Sequence, residues 1–350
     1  MTGFVLAGYL EVLFLRARLA EPSRWDAWAF WMPKAMSIVY FDGLDTRAGG
    51  FTSFPNPDYP PLRPAIDAAA FRFLGDVDPG ALAVQNWIVA AAFFGGVAAL
   101  LAPRVRPAIL WPSLALLALL PDFGLLVASL LADESLALLF ALAGVCGALW
   151  LVEKEVCFAA LAAFFLATAA LVKNEGLMLA LVLFVLLAAV TRGRPWRQLL
   201  ALAALPIIAV VPWRLWMNAN GVRETSAFRL EDLARPQYLF DRTDRLGTAL
   251  HELPSFLLAF DRWLLTVPLV LAAAAALVGR RPALSAYAVG TLVLGVLGFA
   301  TVYWASAYPL QWYIDTSADR ILPSLVVFGA ALFPLLVSEA LETGRADPLP

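Results

Sequence analysis

Residues 134–152, ESLALLFALAGVCGALWLV, decide the fold class together with the two apolar runs that follow, 156–172 (VCFAALAAFFLATAALV) and 176–191 (GLMLALVLFVLLAAVT). These runs are almost continuously apolar and lack the apolar–polar alternation of a transmembrane β-strand. In lipid every backbone polar group must find a partner within the protein, so a membrane-spanning segment is a helix or part of a closed barrel. The runs therefore predict membrane-spanning helices.

The composition of the whole chain agrees with this prediction. Apolar residues make up 62% of the 350 and charged residues 15%, whereas soluble domains are usually about half apolar and about a quarter charged. The mean hydropathy is +0.78. The formal net charge of −2 gives no indication of a nucleic-acid partner. We therefore expect an all-α, polytopic transmembrane helical bundle that forms a single integral membrane domain over residues 1–350.

About ten hydrophobic spans are predicted, several of them shorter than the ~20 residues that a perpendicular helix needs. They cover 2–15, 81–102, 107–121, 134–152, 156–172, 176–191, 198–216, 262–279, 282–304 and 321–340. Basic residues gather in the short connections, and the positive-inside rule assigns that side to the cytoplasm. These residues are Arg104, Arg106, Lys154, Arg192, Arg194, Arg197, Arg280, Arg281 and Arg345. Arg16 and Arg18 fall on the opposite side, against the rule.

The opposite face carries a first extracytoplasmic loop (16–80) and a second long loop (217–261). In the first loop, WDAWAFWMPKAMSIVYF (25–41) has Trp25, Trp28, Trp31 or Met32, Met36 and Val39 at helical spacing, which predicts interfacial helices with aromatic side chains at headgroup level. Asp26 and Lys34 lie off that stripe. They either face water or, for Asp26 among tryptophans, supply a carboxylate that can act as a base.

The stretch FPNPDYPPLRPAIDAAAFRFLG (54–75) contains a stiff elbow, because Pro60 and Pro61 fix two φ angles and remove two backbone donors. A helix is predicted to begin near Arg63. The elbow is either a helix start alone or a rigid support that holds Asp58 and Arg63 in a functional site.

Two polar motifs interrupt the apolar runs. In LLADESLALLF (130–140), Asp133 and Glu134 lie at a predicted membrane edge, where carboxylates are costly and indicate function, although Asp133 could also cap the helix. In TAALVKNEGLMLA (168–180), Lys173 and Glu175 separate two short apolar runs. That motif is either a plain turn whose charges neutralise each other or part of a site at the membrane edge.

Two arginines stand at the outer ends of predicted spans. Arg214 lies between Trp213 and Trp216, and Arg320 opens the last span. An arginine at such a position commonly snorkels to lipid headgroups. Its planar guanidinium can equally bind one specific phosphate through two hydrogen bonds.

Taken in order, these motifs resemble those of GT-C glycosyltransferases, the superfamily of protein O-mannosyltransferases and aminoarabinose transferases. The stretches are WDAW with the later KA (25–35), DYPPL (58–62), ADE (132–134), KNEG (173–176) and TSADR (316–320). The resemblance covers nearly the whole chain. Many members of the superfamily are longer and carry a C-terminal extracytoplasmic domain, which is not expected in the residues after the last predicted span here.

The resemblance implies a membrane glycosyltransferase that moves a hexose or pentose from a polyprenyl-phosphate donor to an extracytoplasmic glycan, lipid or protein, with inversion expected. It also implies a bacterial inner membrane protein with its active site on the extracytoplasmic face. Asp26 would deprotonate or orient the acceptor hydroxyl, and Asp133 and Glu134 would position acceptor or sugar. The residues implied for the donor and its phosphate are Lys34, Asp58, Arg63, Lys173, Glu175, Arg214 and Arg320.

The alternative function is a transporter or flippase for a lipid-linked saccharide. Such a protein would place polar residues near the bilayer midplane and interrupt helices in matched halves, whereas here the polar motifs cluster at one interface. No motif indicates a cofactor. Several carboxylates leave a divalent cation open, but no spacing requires one.

Overall fold

The structure is a computed structural model that describes residues 2–19, 22, 24–191, 196–223 and 230–342. All regular secondary structure within these ranges is helical. Arg192, Arg194 and Arg345, which contribute to the predicted orientation, lie outside the described residues, as do residues 224–229 of the second long loop.

Eighteen α-helices follow one another in the described part of the chain. They are α1 (Thr2–Ala17), α2 (Met32–Phe41), α3 (Leu62–Leu74), α4 (Pro79–Leu101), α5 (Pro107–Ala118), α6 (Pro121–Ala128), α7 (Ala132–Glu153), α8 (Val156–Val172), α9 (Glu175–Val190), α10 (Trp196–Ala219), α11 (Leu230–Leu233), α12 (Pro236–Phe240), α13 (Thr243–Leu257), α14 (Phe260–Trp263), α15 (Thr266–Ala276), α16 (Pro282–Ala305), α17 (Leu310–Ile321) and α18 (Pro323–Glu342). A π-helical turn covers Ala27–Trp31, and a 3₁₀ turn covers Phe51–Ser53.

Five helical segments of the described chain are long and apolar enough to cross a membrane: α4, α7, α10, α16 and the stretch Leu310–Leu341 formed by α17 and α18. The count rises to seven if each of two bent helix pairs is one span. Helices α8 and α9 are apolar but shorter. The chain thus has the helices of a multi-pass membrane protein, while the count of ten spans stays a prediction.

The two bent helix pairs lie where continuous spans were predicted at 107–121 and 262–279. Helices α5 and α6 meet at 62° because Pro121 starts α6 and holds the preceding Leu120 in an extended conformation. The segment Thr243–Trp263 meets α15 at 107°, and Leu264 at this bend has a φ of +51°. The predicted span 262–279 therefore contains a sharp bend after Trp263 and is not one continuous helix.

Helix α7 lies at the centre of the bundle, where it contacts α4, α8, α9, α16 and α18. Its glycines allow close approach of large side chains. A Cβ atom at Gly144 would lie 2.2 Å from the ring of Phe328, and one at Gly147 would lie 2.6 Å from the hydroxyl of Tyr287. Tyr287 donates a hydrogen bond of 2.9 Å to the carbonyl of Gly144. Helix α7 is therefore fixed in depth and rotation against its neighbours.

The two ends of α7 carry different charged groups. Its first turn holds Asp133 and Glu134, and its last residue, Glu153, is bonded to Arg104. At a rise of about 1.5 Å per residue, these ends are separated by roughly 33 Å. Ser338 donates to the carbonyl of Arg104, which brings the start of the α4–α5 connection against the end of α18. The polar motifs and this basic connection thus lie at opposite ends of the bundle.

Candidate active site

The tryptophans of the first loop differ in their exposure. Trp31 is buried and stacks on Tyr59 with ring centroids 5.6 Å apart, whereas Trp25 and Trp28 are exposed. Of the two residues predicted for the third position of the stripe, Trp31 is therefore wrong, whereas Met32 is partly exposed. The reason is the π-helical turn Ala27–Trp31, since a π turn uses i→i+5 hydrogen bonds and changes the face on which later side chains emerge.

Asp26, immediately before the π-helical turn, is joined to the other end of the chain. One of its carboxylate oxygens accepts a hydrogen bond from the guanidinium of Arg320 in α17. Close by, Arg24 lies 3.5 Å from Asp319. Both side chains of the Asp26–Arg320 pair keep about a fifth of their surface exposed. The first loop and α17 are therefore held together by two ion pairs at a solvent-accessible position.

Asp133 and Lys173 form a buried ion pair. The ammonium of Lys173, in the turn between α8 and α9, donates to Asp133 at 2.7 Å and lies 3.0 Å from Glu175. Burial alone would lower the pKa of Lys173, but the carboxylates of Asp133 and Glu175 raise it well above its ordinary value. Lys173 is therefore a stable cation beside two carboxylates.

A small cavity of about 30 Å³ connects these two regions, since its lining includes both Asp133 and Arg320. That volume admits a water-sized group. Four ion pairs lie at or beside it: Arg24–Asp319 (3.5 Å), Arg320–Asp26, Lys173–Asp133 (2.7 Å) and Arg262–Asp122 (3.5 Å). We call these residues, together with Glu175, the ion-pair cluster. It holds five carboxylates and four cations.

Arg63 and Glu134 belong to a second charged group, between α3, α4 and α7. Arg63 contacts Asp67 at 3.0 Å and Glu134 at 3.9 Å, and Gln85 donates to Asp67 at 2.9 Å. All three charged side chains are buried, and burial raises the pKa of Asp67 despite the nearby Arg63. Asp133 and Glu134 are consecutive residues, yet they contact different partners.

Asp67 and Gln85 were not predicted as members of a site. The available signal was the spacing of Arg63 and Asp67, because residues four apart on a helix lie on the same face. Gln85, on α4, gave no such signal, since its contact with Asp67 depends on how α3 packs on α4.

Lys34 is enclosed by aromatic rings. Its ammonium lies 4.9 Å from the ring centroid of Phe51 and 5.3 Å from that of Phe30, and it donates to the carbonyl of Asn56. The side chain is fully buried. Burial lowers the pKa of Lys34 to about 7, although the charge of Asp58 acts in the opposite direction. Lys34 thus holds α2 against the loop that leads to the elbow.

Asp58 and Arg214 are brought together by Asn174, a residue that was not predicted to belong to the site. Asn174 donates to the carboxylate of Asp58 at 3.0 Å and accepts from Arg214 at 3.1 Å. Trp213 donates to the backbone carbonyl of Asp58 at 3.1 Å. The only signal in the sequence was the position of Asn174 between Lys173 and Glu175.

The ten predicted site residues thus fall into three neighbouring groups. The ion-pair cluster contains Asp26, Asp133, Lys173, Glu175 and Arg320; the group between α3 and α7 contains Arg63 and Glu134; the third, reached through Asn174, contains Asp58 and Arg214, with Lys34 facing Asp58. Among the described residues, no set of three or more His, Cys, Asp or Glu side chains is arranged to hold a metal ion.

The helices that are long and apolar enough to cross a membrane define a multi-pass membrane protein, whose charged groups gather at one end of the bundle. The crystal structure of ArnT from Cupriavidus metallidurans bound to undecaprenyl phosphate is similar over 99% of this chain, with a TM-score of 0.58 and 15% sequence identity. The match covers 60% of the ArnT chain. No family model and no curated protein matches the sequence. At this identity the likeness shows the fold alone.

Proposed function

We propose that this chain is a membrane glycosyltransferase that moves a sugar from a polyprenyl-phosphate donor to an acceptor hydroxyl on the extracytoplasmic side. The observation that carries this proposal is the convergence of Asp26, Asp133, Lys173 and Arg320 in one cluster. These residues come from four separate parts of the sequence. The GT-C-like fold supports the same proposal, since a protein of similar fold binds undecaprenyl phosphate.

The reaction requires a base and cations close together. The acceptor oxygen forms a bond to the anomeric carbon while the bond from that carbon to the phosphate oxygen breaks. The proton of the acceptor hydroxyl passes to Asp26, and the polyprenyl phosphate leaves with the electron pair. Lys173 and Arg320 stabilise the charge that develops on it, a contribution that is commonly large in enzymes. A single displacement of this kind inverts the anomeric configuration.

Both proposed phosphate ligands keep a hydrogen-bond donor available. Arg320 uses one terminal nitrogen for Asp26, while its buried Nε atom has no hydrogen-bond partner among the described residues. Lys173 contacts two carboxylate oxygens, and an ammonium group has three N–H donors. A phosphate oxygen could therefore be bound without breaking the pairs to Asp26 and Asp133.

Other members of the predicted site have a different proposed role. Arg63 and Glu134 are buried and contact each other, and Lys34 is enclosed by aromatic rings. We propose that these residues hold α2 and α3 in place beside the ion-pair cluster. The phosphate contacts then fall to Lys173 and Arg320, with Arg214 at the edge of the site.

The decisive experiment uses the full chain in lipid nanodiscs. Purified protein is incubated with radiolabelled polyprenyl-phosphate sugars and a cell-envelope fraction, and the release of polyprenyl phosphate is measured with the transfer of label. We expect release that depends on the protein and is lost in Asp26→Asn. Binding of undecaprenyl phosphate no tighter than that of the uncharged alcohol undecaprenol would overturn the proposed donor class.

One observation favours the alternative of a transporter or flippase. The helix pairs bent by 62° and 107° are interrupted segments of the kind found in transporters. Proteoliposomes that carry a lipid-linked saccharide on one leaflet separate the two functions. A flippase moves the intact lipid to the other leaflet, whereas a glycosyltransferase releases polyprenyl phosphate and labels an acceptor.

A further inference from the structure

Asn174 links two charged side chains from distant parts of the chain. Its amide nitrogen donates to Asp58, in the elbow of the first loop, and its amide oxygen accepts from Arg214 in α10. The two partners fix the orientation of the amide, because a carboxylate only accepts and a guanidinium only donates. Of the uncharged side chains of this length, an amide is the one that offers a donor and an acceptor on separate atoms.

The usual role of an asparagine at this position does not account for these contacts. Asn174 is the N-cap residue of α9, where asparagine is favoured because its side chain can accept from a first-turn N–H group. Here the side chain makes no capping hydrogen bond, and the backbone of Asn174 is already helical. The bridge to Asp58 and Arg214 is therefore what the side chain contributes.

The bridge lies beside the proposed catalytic cation. Asn174 follows Lys173 directly, and Lys173 reaches Asp133 at 2.7 Å from this turn. Asp58 is a well-fixed anchor, since it is 1% exposed and its backbone carbonyl accepts from Trp213. A shift of this turn away from Asp58 and Arg214 would lengthen the two hydrogen bonds of Asn174.

We propose that Asn174 is a positioning residue that holds the Lys173 ammonium where it binds the donor phosphate. This inference rests on the proposed function of the ion-pair cluster. Asn174 acts through Lys173 and does not itself touch the substrate. Loss of the bridge leaves Lys173 in the protein but lets its ammonium move, and a misplacement of about 1 Å can cost on the order of 10²-fold in an enzyme.

The test measures the affinity of the full chain for undecaprenyl phosphate in nanodiscs, with the thermal midpoint of each variant as a check on folding. Asn174→Ser can still cap α9, but its shorter side chain does not span both partners, so we expect affinity to fall about tenfold with an unchanged midpoint. A residue that only capped the helix would be replaced by serine without this loss.

A double-mutant cycle with Lys173→Ala then asks whether Asn174 acts through Lys173. We expect Asn174→Ser to add less than about twofold in the Lys173→Ala background, because residues that act as one unit are strongly non-additive. Independent, additive losses would overturn the inference.

An exchange variant provides the rescue. Asn174→Asp alone sets two carboxylates 3.0 Å apart and should weaken binding more than Asn174→Ser. Combining it with Asp58→Asn restores a donor–acceptor pair, with the carboxylate now facing Arg214, and should recover affinity to within about threefold of wild type. An exchange variant that is folded but as weak as Asn174→Asp contradicts the bridge.

Wild type that binds undecaprenyl phosphate without transferring sugar contradicts the proposed function alone, and wild type that does not bind contradicts both.

Discussion

Asp26 and Arg320 stand 294 residues apart in the sequence and are joined by a hydrogen bond between carboxylate and guanidinium. The pair brings the proposed base from the first loop into contact with a proposed phosphate ligand from α17. A single contact therefore couples the proposed acceptor side of the site to the proposed donor side. Substitutions of the two residues should differ in which substrate they affect.

Asp26→Asn should lower the rate of transfer by about 10²-fold or more, because the amide keeps the size of the side chain but cannot accept the proton of the acceptor hydroxyl. Binding of undecaprenyl phosphate should change little, since Arg320 remains. Single-turnover transfer and lipid affinity measure the two effects. Asp45→Asn, in the same loop but paired with Arg47, is the matched control and should transfer at the wild-type rate. An Asp26→Asn enzyme with full activity would move the role of base to Asp133.

Arg320→Gln should raise the KM for the lipid donor, because a neutral side chain cannot make a charge-assisted hydrogen bond, each worth roughly 1.5–3 kcal/mol. Arg320→Lys should recover part of the loss, since an ammonium cannot make the two-pronged contact of a guanidinium. Donor KM values for the three proteins provide the measurement. Simple snorkelling to lipid headgroups predicts equal KM values for arginine and lysine. Equal values for all three residues would remove Arg320 from the donor site.

The stability of the fold should depend on pH through Lys34. Its pKa falls from 10.5 to about 7 on folding, so between these values the unfolded chain binds more protons than the folded one. Stability should therefore rise with pH in this window, by roughly 2 kcal/mol between about pH 7 and about pH 9. Unfolding in detergent at both pH values measures this difference. Lys34→Met should remove it, and the exposed control Lys154→Met should keep it.

Arg63→Met should destabilise the protein by about 3–5 kcal/mol, because it leaves the carboxylates of Asp67 and Glu134 buried without their cation. Thermal unfolding in detergent gives the measurement. The exposed pair Arg47–Asp45 offers the control, since Arg47→Met removes a guanidinium from solvent and should have little effect. A stability of Arg63→Met equal to that of wild type would show that the buried group does not fasten α3.

Glu134→Gln should keep transfer within about threefold of wild type, since Glu134 contacts Arg63 and is assigned to the support of the first loop. The neutral side chain also removes a buried charge whose two oxygens have no hydrogen-bond partner among the described residues. Transfer rates of Glu134→Gln and Asp26→Asn are compared directly. A loss as large as that of Asp26→Asn would return Glu134 to the catalytic group.

The helical fold could be predicted because continuous apolar runs have few alternatives in lipid. The breaks in those runs were harder to predict. Pro121 was visible in the sequence, but the 62° bend between α5 and α6 also depends on the helices that pack around it. Trp31 points into the protein, not towards the exposed side of Trp25 and Trp28, because of a π-helical turn for which the sequence gave no separate signal.

The members of the candidate site were easier to predict than their pairing. Asp133 and Glu134 were both conspicuous as carboxylates in an apolar stretch. Their side chains leave α7 in different directions and contact different residues, which depends on how the neighbouring helices pack. Asn174 was missed because the residues around it in the sequence give no indication of its two partners. Its two partners are contributed by segments 116 and 40 residues away.

The close packing at Gly144 offers a marker for recognising distant relatives. The ring of Phe328 occupies the space that any larger residue at position 144 would need. A homologous chain with alanine at the equivalent position must therefore carry a smaller residue in place of Phe328, so the two positions should change together. The same reasoning applies to Gly147 and Tyr287. Such coupled changes would trace common ancestry in the bundle even among chains whose catalytic residues have diverged.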